Sequence, residues 1–200
     1  MRTQLSSLES LPVLAAGRVT VRPLREDDAE SLYRVFSDHE AMRYWSTPPH
    51  GDIQRTRETI DSIHAGFERR SVLQWGIERN AEPGAIGTVT LMPDLRQPRA
   101  EIGFILGSAH WGMGYAADAQ RTAIRFGFGE LGLHRIEADT HRDNERSARS
   151  LERLGFQREG LLRERWVVDG VFSDSVIWGL LAGEWRDPAA AGPKEPQPGA

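Results

Sequence analysis

The 200-residue chain has no cysteine, which excludes disulfides, thiolate metal sites and a cysteine nucleophile. A cysteine-free chain fits a cytoplasmic protein, and is also compatible with export. No run of about 18 apolar residues occurs, so no transmembrane helix and no membrane partner are expected. The opening MRTQLSSLES lacks the apolar centre of a secretory signal. Positive charge is not in excess either. The net charge of −4 and isoelectric point near 5.9 argue against a nucleic-acid partner, which calls for a basic footprint. No internal repeat is visible. His39, His50, His64, His110, His134 and His141 show no metal-ligand spacing with carboxylates, so no metal is expected.

What is present is globular. Hydrophobic residues make up 39% and charged residues 27%, in a chain long enough for one domain with its own core. Residues 1–17 have little periodicity and read as an extended lead-in. Residues 18–187 read as a single domain, and the Pro/Gly/Ala-rich residues 188–200 as a disordered tail. Val19 to Arg22 alternate as a strand that stops at Pro23. Ala29, Leu32, Tyr33 and Phe36 form one helical stripe, and Thr56, Ile60, Ile63 and Phe67 a second. Runs at 72–79, 85–91 and 99–106 predict an antiparallel meander. Beyond Gly107 a helix with Ala116, Ala119, Ala123 and Phe126 precedes a strand at 134–140. Asn144 caps another helix, and strands at 156–162 and 174–181 close the domain. Strand–helix–strand passages beside a meander predict an α/β (α+β) fold with a mixed sheet covered by helices.

The chemistry concentrates in Ala100–Ala119, AEIGFILGSAHWGMGYAADA. A strand runs into a glycine-punctuated loop that opens directly into a helix. Gly112 and Gly114 let the backbone approach a ligand, and unpaired amides at a helix start attract phosphate. Such a loop can also be merely a tight turn. Gly112-x-Gly114-x-x-Ala117 matches the dinucleotide fingerprint as well, with Glu137 at the distance of a ribose contact. More than a hundred residues precede it, however, where that fingerprint follows a first strand. Downstream, Arg142, Arg146, Arg149 and Arg153 alternate with acidic residues. A solvated helix face is the plain reading, with phosphate contact the alternative.

Together these pieces resemble the GNAT superfamily of N-acyltransferases, and within it the RimJ/RimL-like ribosomal-protein N-terminal acetyltransferases. The acyl-CoA motif Q/R-x-x-G-x-G/A aligns with Trp111-Gly112-Met113-Gly114-Tyr115-Ala116, with Trp replacing the first residue. Leu131 to Arg135, Asn144-x-x-Ser147, Leu154-Gly155-Phe156, Glu159 to Arg163 and Glu184-Trp185 also look like that branch. The resemblance implies a mostly antiparallel sheet of about seven strands, flanked by about four helices, with a splayed parallel pair. It implies acetyl-CoA, or a related acyl-CoA, as co-substrate and an amine acceptor, either a small molecule or a protein N-terminus. It is compatible with a homodimer. Trp111, Gly112, Met113, Gly114, Tyr115 and Ala116 would hold the pyrophosphate. Phe104, Ile105 and Leu106 would pair with the pantetheine arm, and Asn144 would contact it or serve only as a cap.

Amine acylation needs a base, an oxyanion donor and an acid. Glu101 lies out of phase with Ala100, Ile102 and Phe104 and faces the other side of its strand. Burial would raise its pKa toward that of a base; a structural pairing with an arginine is the alternative. A backbone amide near Ile105 would stabilise the oxyanion. Leu151 stands where many members of the superfamily carry Tyr, leaving Ser147 as the candidate acid, or simply as a polar helix start. Met42, Tyr44 and Trp45 would wall the acceptor, or else cap the core. Two other functions remain open: an NAD(P)-binding oxidoreductase, and a non-catalytic acyl-CoA-binding protein.

Overall fold

The computed structural model describes residues 5–187. Among them eight strands form one sheet, in the order β1-β2-β3-β4-β5-β6-β8-β7. The strands are β1 (Leu14–Ala16), β2 (Val19–Pro23), β3 (Leu73–Arg79), β4 (Ala85–Pro93), β5 (Arg99–Leu106), β6 (Arg135–His141), β7 (Gln157–Val168) and β8 (Val171–Leu181). Every neighbouring pair is antiparallel except β5 and β6. The helices are α1 (Ala29–Phe36), α2 (His39–Met42), α3 (Ile53–Glu68), α4 (Tyr115–Gly129) and α5 (Glu145–Arg153). This is the expected mixed architecture, with one more strand and one more helix.

The two additions are too short to show a period. β1 has three residues, and its register with β2 (Leu14↔Val21 to Ala16↔Val19) defines it. The expected lead-in therefore joins the sheet at its end, and Leu5 and Leu11 are buried in the core. α2 is one turn, capped by Asp38, whose carboxylate accepts from the Glu40 and Ala41 amides. The same carboxylate accepts from the Ser108 amide at 2.9 Å, tying the 39–50 segment to the turn after β5. The expected tail, 188–200, lies outside the described residues.

The final hairpin is longer than its sequence pattern predicts. Almost all of β7 is exposed, so it has no buried face and no alternation to read. Asp169 and Gly170, both at positive φ, make the tight turn at its tip.

The sheet is buried on both faces. Leu32, Phe36, Met42, Ile60 and Ile63 from α1 to α3 pack over Leu24, Ala85 and Ile105. Ala119, Ala123 and Ile124 of α4, with Leu151 of α5, cover Trp75, Ile102, Leu106 and Ile136 on the other face. β5 thus sends Ile105 to one side and Ile102 and Leu106 to the other, as strand alternation requires. A buried ion triad locks the far end: Arg22 donates to both Asp28 oxygens at 2.7 Å and to Glu78 at 2.7 and 2.9 Å. The paired Arg22 guanidinium pulls the Glu78 carboxyl down to about 2. At Asp28, burial alone would raise the carboxyl, but the Arg22 bonds and the Arg25 and Ala85 amides hold it low.

Candidate active site

β5 and β6 form a fork. Their parallel ladder holds only at Arg99↔Arg135, Ala100↔Ile136 and Glu101↔Glu137. Beyond Glu101 both strands continue unpaired to each other, so backbone groups of β5 face an open slot. The last rung places Glu101 at the crotch of the fork.

At the far end of β5 lies the loop Trp111–Gly114. Gly112 and Gly114 have φ of 78° and 79°, a region L side chains avoid. A side chain at Gly112 would meet no protein atom within 4 Å, so backbone conformation, not crowding, calls for glycine there. Helix α4 begins without a side-chain cap, whereas α2, α3 and α5 are capped by Asp38, Asp52 and Asn144. The opening amides of α4 are left for an anion. The acidic residue of its first turn, Asp118, is turned away and bound by Arg18 at 2.8 and 3.2 Å. Arg18 also donates to the Met113 carbonyl at 2.8 Å and the Gly114 carbonyl at 3.4 Å. Carbonyls are gathered behind the loop and amides remain in front. These residues fit a pyrophosphate.

Two cavities meet at the slot. The smaller, about 300 Å³, is lined by β5 from Phe104 to Leu106, the loop and α5. The larger, about 610 Å³, contains Glu101, Asp139, Arg165, Trp166 and the 42–49 segment. Tyr44, Trp45, Phe104, Asn144 and Ser147 line both and mark the waist between them. Tyr44 is stacked on His141 at 4.9 Å, while Met42 is buried against the core yet borders the larger cavity.

The Glu101 carboxylate makes no hydrogen bond or ion pair with any described residue. Burial raises its carboxyl pKa, the nearby Asp139 raises it further, and Arg165 opposes them. Asp139 is held differently. It accepts from Arg165 at 2.7 Å, from the Trp166 indole at 3.1 Å and from the Ser175 hydroxyl. Those donors pin the β7–β8 hairpin over the larger cavity. A register shift between Leu162 and Trp166, with Glu164 at φ 52°, turns Arg165 and Trp166 toward it. Sequence reading missed Asp139, Arg18 and the tip of this hairpin with Arg165 and Trp166, since each acts through contacts distant along the chain.

Ile105, the expected oxyanion donor, does not present its amide to the slot. Gly107 donates to the Ile86 carbonyl, and Asp94 to the Arg99 carbonyl. With an unbroken register between them, including Thr88↔Ile105, alternate residues of β5 direct both backbone groups to β4. Ile105 is one of these, so its amide is turned away from the slot. Phe104 and Leu106 face it, and the Leu106 carbonyl accepts from the Trp111 indole at 2.8 Å. Asn144 caps α5, accepting from the Ser147 amide at 3.1 Å, and its side chain still borders both cavities. Leu151 is fully buried and offers no acid.

The chain matches the acetyltransferase (GNAT) domain family over residues 18–157, more than half its length. It belongs to the GNAT acetyltransferase family. It is 34% identical over 176 residues to the uncharacterized N-acetyltransferase p20 of Bacillus licheniformis, covering 88% of this chain and 99% of that one. It is 32% identical over 171 residues to the uncharacterized N-acetyltransferase YoaA of Bacillus subtilis, covering 85% and 97%. The structure of Mycobacterium smegmatis RimJ in complex with CoA-disulfide superposes with a TM-score of 0.74 at 27% identity, covering 86% of this chain and 87% of that one. The GNAT protein described here is an acetyl-CoA-dependent N-acetyltransferase. The dinucleotide reading falls: the glycine loop follows the fifth strand of a largely antiparallel sheet. Glu137, the supposed ribose contact, is bound to Arg99 at 2.9 Å and Arg135 at 2.7 Å. Among the described residues no helix is long and apolar enough to cross a membrane, and no group of three or more His, Asp or Glu residues is placed to hold a metal.

Proposed function

We propose that the enzyme acetylates a primary amine bound in the larger cavity by direct attack through a tetrahedral intermediate, with Glu101 as general base. Acetyl-CoA supplies the acetyl group as a thioester. The observation that carries the reading is a half-buried carboxylate without a protein partner at the crotch of the β5–β6 fork, beside the waist joining both cavities. Asp139 is paired with Arg165 and Arg43 also lines that cavity, so Glu101, which has no cationic partner, is the carboxylate placed to attract an ammonium group. Glu101 takes a proton from the amine, directly or through water. The Phe104 amide, facing the slot at the waist, donates to the oxygen on which negative charge develops. Ser147 returns a proton to the departing sulfur. Asn144 borders the same arm, and the slot-facing groups of Phe104 and Leu106 pair with it. Tyr44 and Trp45 wall the acceptor.

The finer reading places the enzyme in the RimJ/RimL-like branch, with a protein N-terminus as acceptor. The W-G-x-G-Y-A loop and the likeness to RimJ support it, and the open larger cavity suits an amine carried on a larger body. Thiol release should be measured with acetyl-CoA and a panel of peptide N-termini, polyamines, amino acids and aminoglycosides. Turnover with peptides in preference to the rest supports this reading. Turnover confined to small amines removes the branch but keeps the chemistry. Acetyl-CoA binding without turnover on any amine would leave a non-catalytic binding protein.

A further inference from the structure

The glycines inside the strands are Gly76, Gly87, Gly103, Gly160 and Gly179. A strand interior gains nothing from glycine, which costs backbone entropy and offers no side chain to pack. Each of them therefore needs a reason. Crowding supplies it at Gly76, Gly87 and Gly179. A methyl at Gly76 would press on the Leu24 side chain at 2.9 Å, one at Gly87 would strike the Ile105 carbonyl, and one at Gly179 would meet Glu159 and Arg135. Gly160 lies at a register shift of the exposed strand β7, and glycine in a strand often marks such an irregularity.

Gly103 has neither reason. Its φ is not positive. The register of β5 with β4 runs through it unbroken, with Thr90 opposite. A methyl there would meet no protein atom within 4 Å, and the space it would enter belongs to the larger cavity. Strand alternation puts that space on the face of Glu101 and Ile105, each about 7 Å away along the strand. The backbone groups of Gly103, like those of Ile105, turn to β4. The pantetheine arm would run along the edge of β5 in the slot, so the space over Gly103 stands off the sheet, on the acceptor side. An amine held between the Glu101 carboxylate and the Phe104 amide places the carbon that bears it over Gly103.

We propose that Gly103 is the floor of a notch that seats a small side group on the amine-bearing carbon, so that the enzyme selects branched amines, R–CH(R′)–NH2, over unbranched ones. The proposal rests on reading the larger cavity as the acceptor site. Glu101 and Ile105 bound the notch along the strand and Thr90 bounds it across the sheet, which limits R′ to a group of one or two heavy atoms. Gly103 makes no bond to the reacting atoms. It sets specificity by leaving room.

Matched acceptors that differ by one methyl group test it: ethanolamine against 2-amino-1-propanol, and a Gly-initiated peptide against its Ala-initiated counterpart. With acetyl-CoA and thiol-release detection, the wild type should favour the branched member by about tenfold in kcat/KM, the worth of one methyl group in a fitted pocket. Gly103→Ala fills the notch and should bring that ratio to about one or below, with acetyl-CoA affinity measured by calorimetry unchanged. Gly160→Ala, an equally open strand position outside both cavities, should keep the wild-type ratio. Thermal melts should show Gly103→Ala at least as stable as wild type; a lower Tm overturns the notch by assigning the glycine to the fold. A wild type without preference, or a Gly103→Ala variant that retains it, overturns the notch while leaving the acceptor site standing. Weakened acetyl-CoA binding in Gly103→Ala also overturns it, giving the space to the thioester arm. No turnover of any of these amines removes the acceptor-site reading itself, and the notch with it.

Discussion

Arg18 and Asp118 stand a hundred residues apart and join through two nitrogens, at 2.8 and 3.2 Å, while the same guanidinium holds the Met113 and Gly114 carbonyls. The β1–β2 turn thereby sets the orientation of the phosphate loop. Replacing Asp118 with Asn removes the charge that anchors Arg18 and lets the loop carbonyls swing forward. Acetyl-CoA affinity is expected to fall about tenfold, in keeping with the cost of small misplacements in a binding site. Calorimetry is the check, with circular dichroism to confirm the fold. An unchanged affinity would show that the loop holds its shape without this clamp.

Gly112 separates backbone need from packing need. Its φ of 78° makes Gly112→Ala strained by about 1 kcal/mol, although the new methyl meets no protein atom. Modest destabilisation should accompany a larger loss of acetyl-CoA affinity, because the methyl stands in front of the amides. Thermal melts and acetyl-CoA titration on one preparation separate the two effects. Loss of stability with full affinity would mean that the ligand does not sit there.

Glu101 should govern the acid limb of the rate profile. Its pKa is raised, first by burial and then by Asp139, so the base form is lost and kcat/KM falls as pH drops through that raised value. Glu101→Gln is expected to lower kcat by about 10²–10⁴-fold with acetyl-CoA affinity nearly unchanged. Asp139→Asn removes a neighbouring negative charge and frees Arg165 to act on Glu101. Both changes favour the ionised carboxylate, so the limb should move to lower pH. Movement in the opposite direction would show that another group is the base.

Acid stability has a separate origin in the Arg22–Asp28–Glu78 triad. The Glu78 carboxyl is depressed to about 2 from an ordinary 4.5. Its contribution is complete above the ordinary value and disappears as pH falls toward 2. Glu78→Gln should cost about 2 to 3 kcal/mol at neutral pH, screening at its solvent-facing edge reducing the full value. The gap from wild type should narrow between pH 4.5 and 2. Denaturant melts across that range measure it, and a constant gap would place the stabilisation in packing instead.

Much of the site could be read in advance because its parts are local. The loop W-G-M-G-Y-A carries its own glycines, and Asn144 lies three residues from the amide it caps. The phase of Glu101 against Ile102 follows from strand alternation. The reading failed where a group's role depends on a partner far along the chain. Position along β5 places Ile105 beside the slot, yet a rung shared with Thr88 turns its amide to β4. The hairpin tip went unseen because β7 has no buried face.

The amino-acid order alone determined where the longer helices and most of the strands arise, where the phosphate loop bends and which carboxylate lies out of step with the core. Those properties depend on neighbours within one turn or a few strand residues. Tertiary structure decided that the β5–β6 ladder ends at Glu101, that Asp139 pins the hairpin, and that Arg146 and Arg153 meet the cavity while Arg142 meets Asp174. Each of those outcomes is a distance between segments separated by tens of residues, which chain folding sets and local preference does not.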